Sequence, residues 1–253
     1  NNTPAIHIAG TSGKGSTAYY ATALLHNAGY STGTLTSPHI TSVAERSLIN
    51  GFPLPEEKYL AYFQQFQAIY VKVDLHLSYF EFLTVFSFWL FAQEQVDYMV
   101  IEVGVGGRLD TTNVMSRPKT VRVITDIGID HTELLGETVA EIAMEKAGII
   151  HPGDLVVINH QSDEVMRTIT KIAEQQQARL LINETLDIVD GLPKFQQRNW
   201  SLAKVAVDQR LAIDKQPLIT KELADTSSQI TIPGRFDRRI IGDLEIILYV
   251  SHN

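Results

Sequence analysis

Apolar positions recur along this chain in two alternating rhythms. Short, near-continuous apolar runs stand at 5–9 (AIHIA), 97–104 (DYMVIEVG), 121–128 (VRVITDIG), 154–159 (DLVVIN) and 178–183 (ARLLIN). Such runs mark strands covered on both faces of a parallel sheet. A further strand at 31–37 (STGTLTS) is stopped by Pro38. Between them the spacing predicts helices at 16–28, 55–72, 78–95, 138–150, 162–177 and 199–213. Gly29 closes the first, Glu56 and Glu57 occupy the first turn of the second, and Gly148 stands at the end of the fourth. The helix at 78–95 is apolar nearly all round and is expected to be buried. No repeat or low-complexity linker interrupts the alternation. It predicts an α/β fold with a doubly wound, mostly parallel sheet. In such sheets ligands sit outside the carboxyl ends of the strands, so the residues that follow strands carry the functional information.

Composition narrows the class. The 253 residues suffice for one large α/β domain or two small ones, and 44% hydrophobic with 20% charged residues is ordinary for a soluble globular protein. A formal net charge of -8 with no basic cluster argues against nucleic acid as the main partner. It leaves room for a local anion site. There is no cysteine, hence no disulfide or thiol chemistry, which fits a reducing cytosol without requiring one. The longest apolar stretch, 82–92, is too short to span a bilayer, and the opening NNTPAIHIAG lacks signal-peptide architecture. A cytoplasmic protein without a membrane partner is expected. The chain starts almost directly on a strand and stops just after an apolar run, LEIILY, so a piece of a longer protein is also expected.

Several post-strand segments carry candidate chemistry. In GTSGKGST (10–17), glycines let successive backbone N–H groups turn toward one anion, and the following helix adds its positive end. Lys14 would contact β- and γ-phosphates, and Ser16 or Thr17 could face a magnesium ion. The spacing is shorter than in the common P-loop: two residues, not four, separate Gly10 from Gly13-Lys14. A glycine-rich turn that caps a helix is the alternative. In TSPHI (36–40), Ser37 is either a metal ligand or a helix cap. In IEVGVGGRLDTTN (101–113), Glu102 lies near the end of an apolar strand, where a carboxylate is costly unless paired or metal-bound. Three glycines, Arg108, Asp110 and Asn113 follow, either as a loop for close ligand approach or as a turn with a surface Arg108–Asp110 pair. ITDIGIDHTELLG (124–136) brings Asp126, Asp130 and His131 to the same edge, as candidates for a magnesium site or a base. Lys146 near a helix end reads as a solvated lysine favoured by the helix dipole. Arg235 in IPGRFDRR is either a surface residue or a clamp on a transferring phosphoryl group.

Taken together, GTSGKGST, TSPHI, SYFEFLT, VIEVGVGGRLDTTN, ITDIGIDHTELLG, EKAGII, FQQRNWSLA and PGRFD stand in the order of one family. From about Ile6 to Phe236 the chain resembles the ATP-binding domain of the folylpolyglutamate synthase/dihydrofolate synthase family, within the Mur-ligase-like amide ligases. That resemblance implies a P-loop domain like the Mur-ligase central domain, over 1–246, with 247–253 beginning the junction to a C-terminal domain. It implies ATP-dependent activation of a folate or dihydropteroate carboxylate as an acyl phosphate, attacked by the amino group of L-glutamate. It further implies a monomer that uses ATP and Mg2+.

Residue by residue, the resemblance assigns ATP binding to Gly13, Lys14, Gly15, Ser16, Thr17, Gln196, Asn199, Arg235 and His252. It assigns magnesium ligation to Ser37, Glu102 and His131, and substrate binding to Phe80, Glu81, Arg108 and Asp110. Lys14, Lys146, His131 and Arg235 are then the expected catalytic residues. Lys146 matches a lysine carbamylated in the family, which reverses the solvated reading. One departure stands out: where the family has Asp-Gly-Ala-His-Asn, this chain has YVSHN, with Tyr249 replacing the Asp. A Mur-type cell-wall ligase and a non-catalytic ATP-binding paralogue are the competing readings, the first opposed by GGRLDTTN and the second supported by Tyr249.

Overall fold

The apolar runs assemble into one eight-stranded sheet. The computed structural model describes residues 3–115, 120–242 and 244–249. In chain order the elements are β1 (Ala5–Ala9), α1 (Lys14–Asn27), β2 (Thr32–Leu35), β3 (Ser47–Ile49), β4 (Phe52–Pro53), α2 (Glu56–Tyr70) and α3 (Tyr79–Gln93). Then follow β5 (Tyr98–Glu102), β6 (Val121–Ile124), α4 (Thr132–Leu135), α5 (Val139–Ala147), β7 (Leu155–Asn159), α6 (Asp163–Gln175) and β8 (Arg179–Asn183). The chain closes with α7 (Lys194–Ile213), α8 (Lys221–Ser228), β9 (Arg235–Ile241) and β10 (Leu244–Tyr249). Short 3-10 turns lie at Val43–Arg46 and Thr111–Val114.

The sheet order is β4-β3-β2-β5-β1-β6-β7-β8. The ladders from β2 through β8 are parallel, and β3 and β4 add an antiparallel edge. The chain reverses its direction of travel at β1, which pairs with β5 on one side and β6 on the other. That reversal opens a crevice at the carboxyl edge, where the loops after β1, β2, β5 and β6 meet.

The elements β3, β4, α4, α8 and β9 lie outside the sequence expectation, and β10 falls on the apolar run LEIILY. The strands β3 and β4 are too short to give a period. Helix α7 begins at Lys194, ahead of the expected 199, because Pro193 occupies its N-cap and the chain can enter the helix there. The expected boundary between 246 and 247 falls inside β10, whose Ile246 and Ile247 pair with Arg239 and Arg238 of β9. No break occurs there among the described residues. None of the helices described is long and apolar enough to cross a membrane.

Alternation along the strands sorts the core. Ile6, Ile8, Val100, Val121, Val123, Leu155 and Val157 face α1, α7 and α8, with Trp200 and Tyr20 in edge-to-face contact at 5.4 Å. The opposite face carries two separate clusters. Ala5, Met99, Ile101 and Leu35 pack against Phe86, Leu90 and Phe91 of α3 and Phe66 of α2. Ala9, Ile124, Val156 and Ile158 pack against Ala147 of α5 and Ile169 of α6.

Between these two clusters the face is polar. His7 of β1 and Arg122 of β6 are register partners and are fully buried. Arg122 Nε donates to Asp154 Oδ2 at 2.6 Å, its Nη1 reaches His7 Nδ1 at 2.6 Å, and its Nη2 donates to the Met115 carbonyl. A buried guanidinium is tolerable only when paired and hydrogen-bonded in this way. We therefore expect Arg122→Met, which strands the Asp154 carboxylate, to cost about 3–5 kcal/mol of folding stability in urea unfolding. Arg122→Met combined with Asp154→Leu should recover most of that loss.

Candidate functional site

The loop from β1 to α1 is the floor of the site. Gly13 is the N-cap of α1 and has φ 88°, a left-handed conformation that L-residues rarely adopt. A Cβ there would lie 2.2 Å from Asn199 Oδ1. Thr11 and Ser12 N–H both donate to the Asp126 carbonyl, at 2.9 and 3.2 Å, which ties this loop to the loop after β6. Lys14 turns back on its own loop, donating to the Gly10 carbonyl at 3.0 Å and the Thr11 carbonyl at 3.2 Å.

A cavity of about 750 Å3 opens at this carboxyl edge. Gly13, Lys14, Gly15 and Ser16 line it from the loop, Ser37 from the end of β2, and Glu102 from the end of β5. Asp126, Asp130 and His131 line it from the loop after β6; Phe80, Gly104 and Asp110 form the far wall. Gln196, Asn199 and Arg235 complete it from α7 and the start of β9. A smaller cavity of about 200 Å3 adjoins it, sharing Gly15, Ser37, Glu102 and Arg235.

Glu102 is 2% exposed, and burial pushes its carboxyl above the ordinary carboxylate range, opposed by the charge of Lys14 and the N–H of Ser37. Ser37 N donates to Glu102 Oε2 at 2.9 Å. Burial pushes the Lys14 amine down, with Glu102 as the main opposing charge. His131 sits at φ 48° ahead of α4, half-exposed, with Nε2 3.7 Å from Asp130 Oδ2. Arg198, from α7, grips Asp126 with two hydrogen bonds of 2.9 and 2.6 Å.

The remaining expected residues fall in different places. Thr17 is buried beneath the loop, its Oγ1 without a hydrogen-bond partner among the described residues. Gln196 and Asn199 pack on the phosphate-type loop itself: Gln196 Nε2 donates to Ser16 Oγ at 3.3 Å and to the Arg235 carbonyl at 3.4 Å. Glu81 does not line the cavity; it caps α3, accepting from Ser78 N at 2.7 Å. Arg108 pairs with Glu145 at 2.9 Å, so the surface Arg108–Asp110 pair, one of the two readings of that segment, does not form. His252 lies outside the described residues.

Lys146 corrects the solvated reading. It is 2% exposed, and its Nζ donates to the Gly10 carbonyl at 2.9 Å, the same oxygen that Lys14 uses. Burial and, next, the charge of Lys14 push its amine down to about 8.

Asp110 has a structural occupation that sequence reasoning did not supply. Its Oδ2 accepts from Gly104 N and Val105 N, both at 3.1 Å, and its Oδ1 accepts from Thr112 N and Thr112 Oγ1, at 2.9 and 2.5 Å. Gly104 lets the Phe80 ring lie close, since a Cβ there would be 2.6 Å from Phe80 Cζ and the ring would have to shift. Sequence reading also missed Arg46, Tyr79, Phe195 and Arg198. Arg46 lies 5.7 Å from the Tyr79 ring centroid, and Phe195 meets Tyr249 edge-on at 6.1 Å. Tyr249 itself lines the large cavity.

The geometry has counterparts in known proteins. The Mur ligase middle domain family model matches residues 8–187. A folylpolyglutamate synthase of Arabidopsis thaliana is 42% identical over 186 residues, covering 72% of this chain and 30% of that protein. A dihydrofolate synthase/folylpolyglutamate synthase of Buchnera aphidicola is 31% identical over 97% of this chain and 61% of its own length. Among solved structures, Mycobacterium tuberculosis folylpolyglutamate synthase complexed with ADP superposes with a TM-score of 0.87 at 32% identity, covering 100% of this chain and 63% of that one. The chain spans about a third of the length of the first curated relatives it matches.

The depressed Lys146 amine has a thermodynamic consequence. Below pH 8 the folded state carries this buried charge at a cost. Between about pH 8 and the ordinary lysine value of 10.5 the folded amine loses its proton before the unfolded one does, so stability from this site rises. In CO2-free buffer, Lys146→Met should therefore gain about 2–3 kcal/mol relative to wild type on going from pH 10.5 down to pH 7, read by urea unfolding at each pH. A pH-independent difference would contradict the placement of a charged, buried amine.

Proposed function

Because the chain belongs to the Mur ligase middle-domain family, we propose that it is the ATP-binding part of an ATP-dependent ligase that joins L-glutamate to a folate. The observation that carries this reading is the convergence on one cavity of an anion-binding loop, a buried carboxylate and a separate aromatic wall: Gly13–Ser16, Glu102 and Phe80. The curated names of its relatives supply the substrate class.

The reaction has two steps. A folate carboxylate oxygen attacks the γ-phosphorus of ATP, the bond to the bridging oxygen breaks, and ADP leaves. The glutamate amino group then attacks the acyl carbon, loses a proton, and inorganic phosphate departs as the amide forms. Transfer of this kind depends on alignment and charge neutralisation. The N-terminus of α1 and Lys14 hold the phosphates, the latter exchanging its loop carbonyls for phosphate oxygens. Arg235 faces both cavities and neutralises charge on the transferred group. Phe80 and the Gly104–Asp110 wall orient the pterin side.

The residues present fit a magnesium ion. Glu102 presents a desolvated carboxylate to the cavity with one hydrogen bond among the described residues, and Ser37 adds a hydroxyl beside it. Magnesium is commonly bound through one or two carboxylates plus phosphate oxygens and waters, and Glu102 is a carboxylate of that kind. Ser37, Glu102 and His131 would hold it, and when bound it would supply charge neutralisation at the β- and γ-phosphates. Lys146, with an amine of about 8, has a neutral fraction that would add to CO2, the chemistry expected of a carbamylated lysine. One observation favours a second reading. Tyr249 lines the cavity where the family carries an acidic residue, which suits a paralogue that binds ATP without ligation.

The test is ligation by the full-length protein and by this chain, with Mg-ATP, L-glutamate and either tetrahydrofolate or dihydropteroate, read by mass spectrometry. One added glutamate is expected from the full-length protein. Lys14→Ala should lower kcat/KM by about 100-fold or more. ATP binding with no product from either substrate would favour the non-catalytic reading.

A further inference from the structure

The polar seam in the core reaches the cavity wall through a single directed chain of hydrogen bonds. Arg122 can only donate, so His7 Nδ1, 2.6 Å from Arg122 Nη1, is the unprotonated nitrogen. His7 Nε2 therefore carries the proton and donates to Thr112 Oγ1 at 2.8 Å. The Thr112 hydroxyl, having accepted, donates to Asp110 Oδ1 at 2.5 Å. Asp110 Oδ2 then accepts from Gly104 N and Val105 N. Every direction follows from the fixed charge at Arg122. Burial and the guanidinium both push the His7 ring down, which keeps it neutral and preserves this polarity.

We propose that Arg122, His7 and Thr112 are positioning residues that hold Asp110 and, through it, the Gly104–Val105 backbone as the acceptor-side wall of the cavity. Three things support this. Arg122, His7 and Thr112 are fully buried, so solvent cannot interrupt the links among them. Asp110 spends both oxygens on the loop, leaving the backbone it fixes as the surface a substrate meets. The wall begins two residues beyond Glu102, so a shift there changes the distance between the acyl side and the phosphate side of the site without touching the loop at 10–17.

The choice of substrate whose KM moves rests on the ligase reading above, whereas the effect on the wall does not. Thr112→Val is nearly isosteric and deletes both hydroxyl bonds. It should raise amide hydrogen exchange of the 103–110 peptide by about ten-fold, raise KM for the folate by about ten-fold, and leave KM for ATP within about two-fold. Thr112→Ser, which keeps the hydroxyl, should restore all three toward wild type. His7→Asn keeps an acceptor for Arg122 and loses the donor to Thr112; it should reproduce Thr112→Val and serves if that variant does not fold. Unchanged exchange at 103–110 in either variant, or equal increases in both KM values, overturns the proposal. A full-length protein with no ligase activity would overturn the ligase reading alone, since the exchange comparison still decides the relay.

Discussion

Two lysines share one carbonyl oxygen, and much of the site follows from that. Lys14 comes from the first turn of α1 and Lys146 from α5, and both amines donate to Gly10. Two ammonium groups so close repel, and burial removes the water that would screen them. The arrangement is electrostatically incomplete: an anion in the cavity, or loss of charge at Lys146, relieves it. It also locks three elements together, because β1, α1 and α5 must be seated before the oxygen can accept both bonds. Glu102 is the complementary half, a carboxylate driven into an apolar strand end with Lys14 as its main compensating charge. Neither partner is comfortable alone. Each is tolerable because the cavity between them is built to receive a charged ligand.

The central strands could be read from apolar runs because both faces are covered there: β1, β5, β6 and β7 are buried at every position. The same apolar runs conceal the seam. AIHIA and VRVITDIG pass as apolar strands, yet His7 and Arg122 are adjacent across the β1–β6 ladder and join in a buried hydrogen bond. A polar residue inside a buried strand was the available signal, and it pointed to a partner on the neighbouring strand. Lys146 shows the opposite limit. Its position near a helix end gives a sound reason for a solvated lysine, and only tertiary packing of α5 beneath the Gly10 loop reverses it. Glu81 and Arg108 were drawn toward the site by the motifs that contain them. Local pairing takes both: Glu81 completes the cap of α3, and Arg108 finds Glu145 on α5.

A buried ion pair seldom adds net stability over a well-packed apolar replacement. The Arg122–Asp154 pair therefore asks for a reason beyond holding the fold. The second face of the sheet offers one. Its two apolar clusters take Ala5 at one end of β1 and Ala9 with Ile124 at the other end of β1 and β6, with the His7–Arg122 pair between them, and an apolar filling of that position would let the α2–α3 and α5–α6 layers slide against each other with little penalty. Hydrogen bonds do not permit such sliding. A guanidinium that must satisfy Asp154, His7 and Met115 at once fixes the register of the layers and sets the tautomer of the histidine. Through Thr112 and Asp110 that registration is passed to the glycine-rich wall at 104–107, whose first two N–H groups Asp110 holds. A glycine-rich wall of a ligand cavity gains definition from a fixed template, and the seam provides one from inside the core.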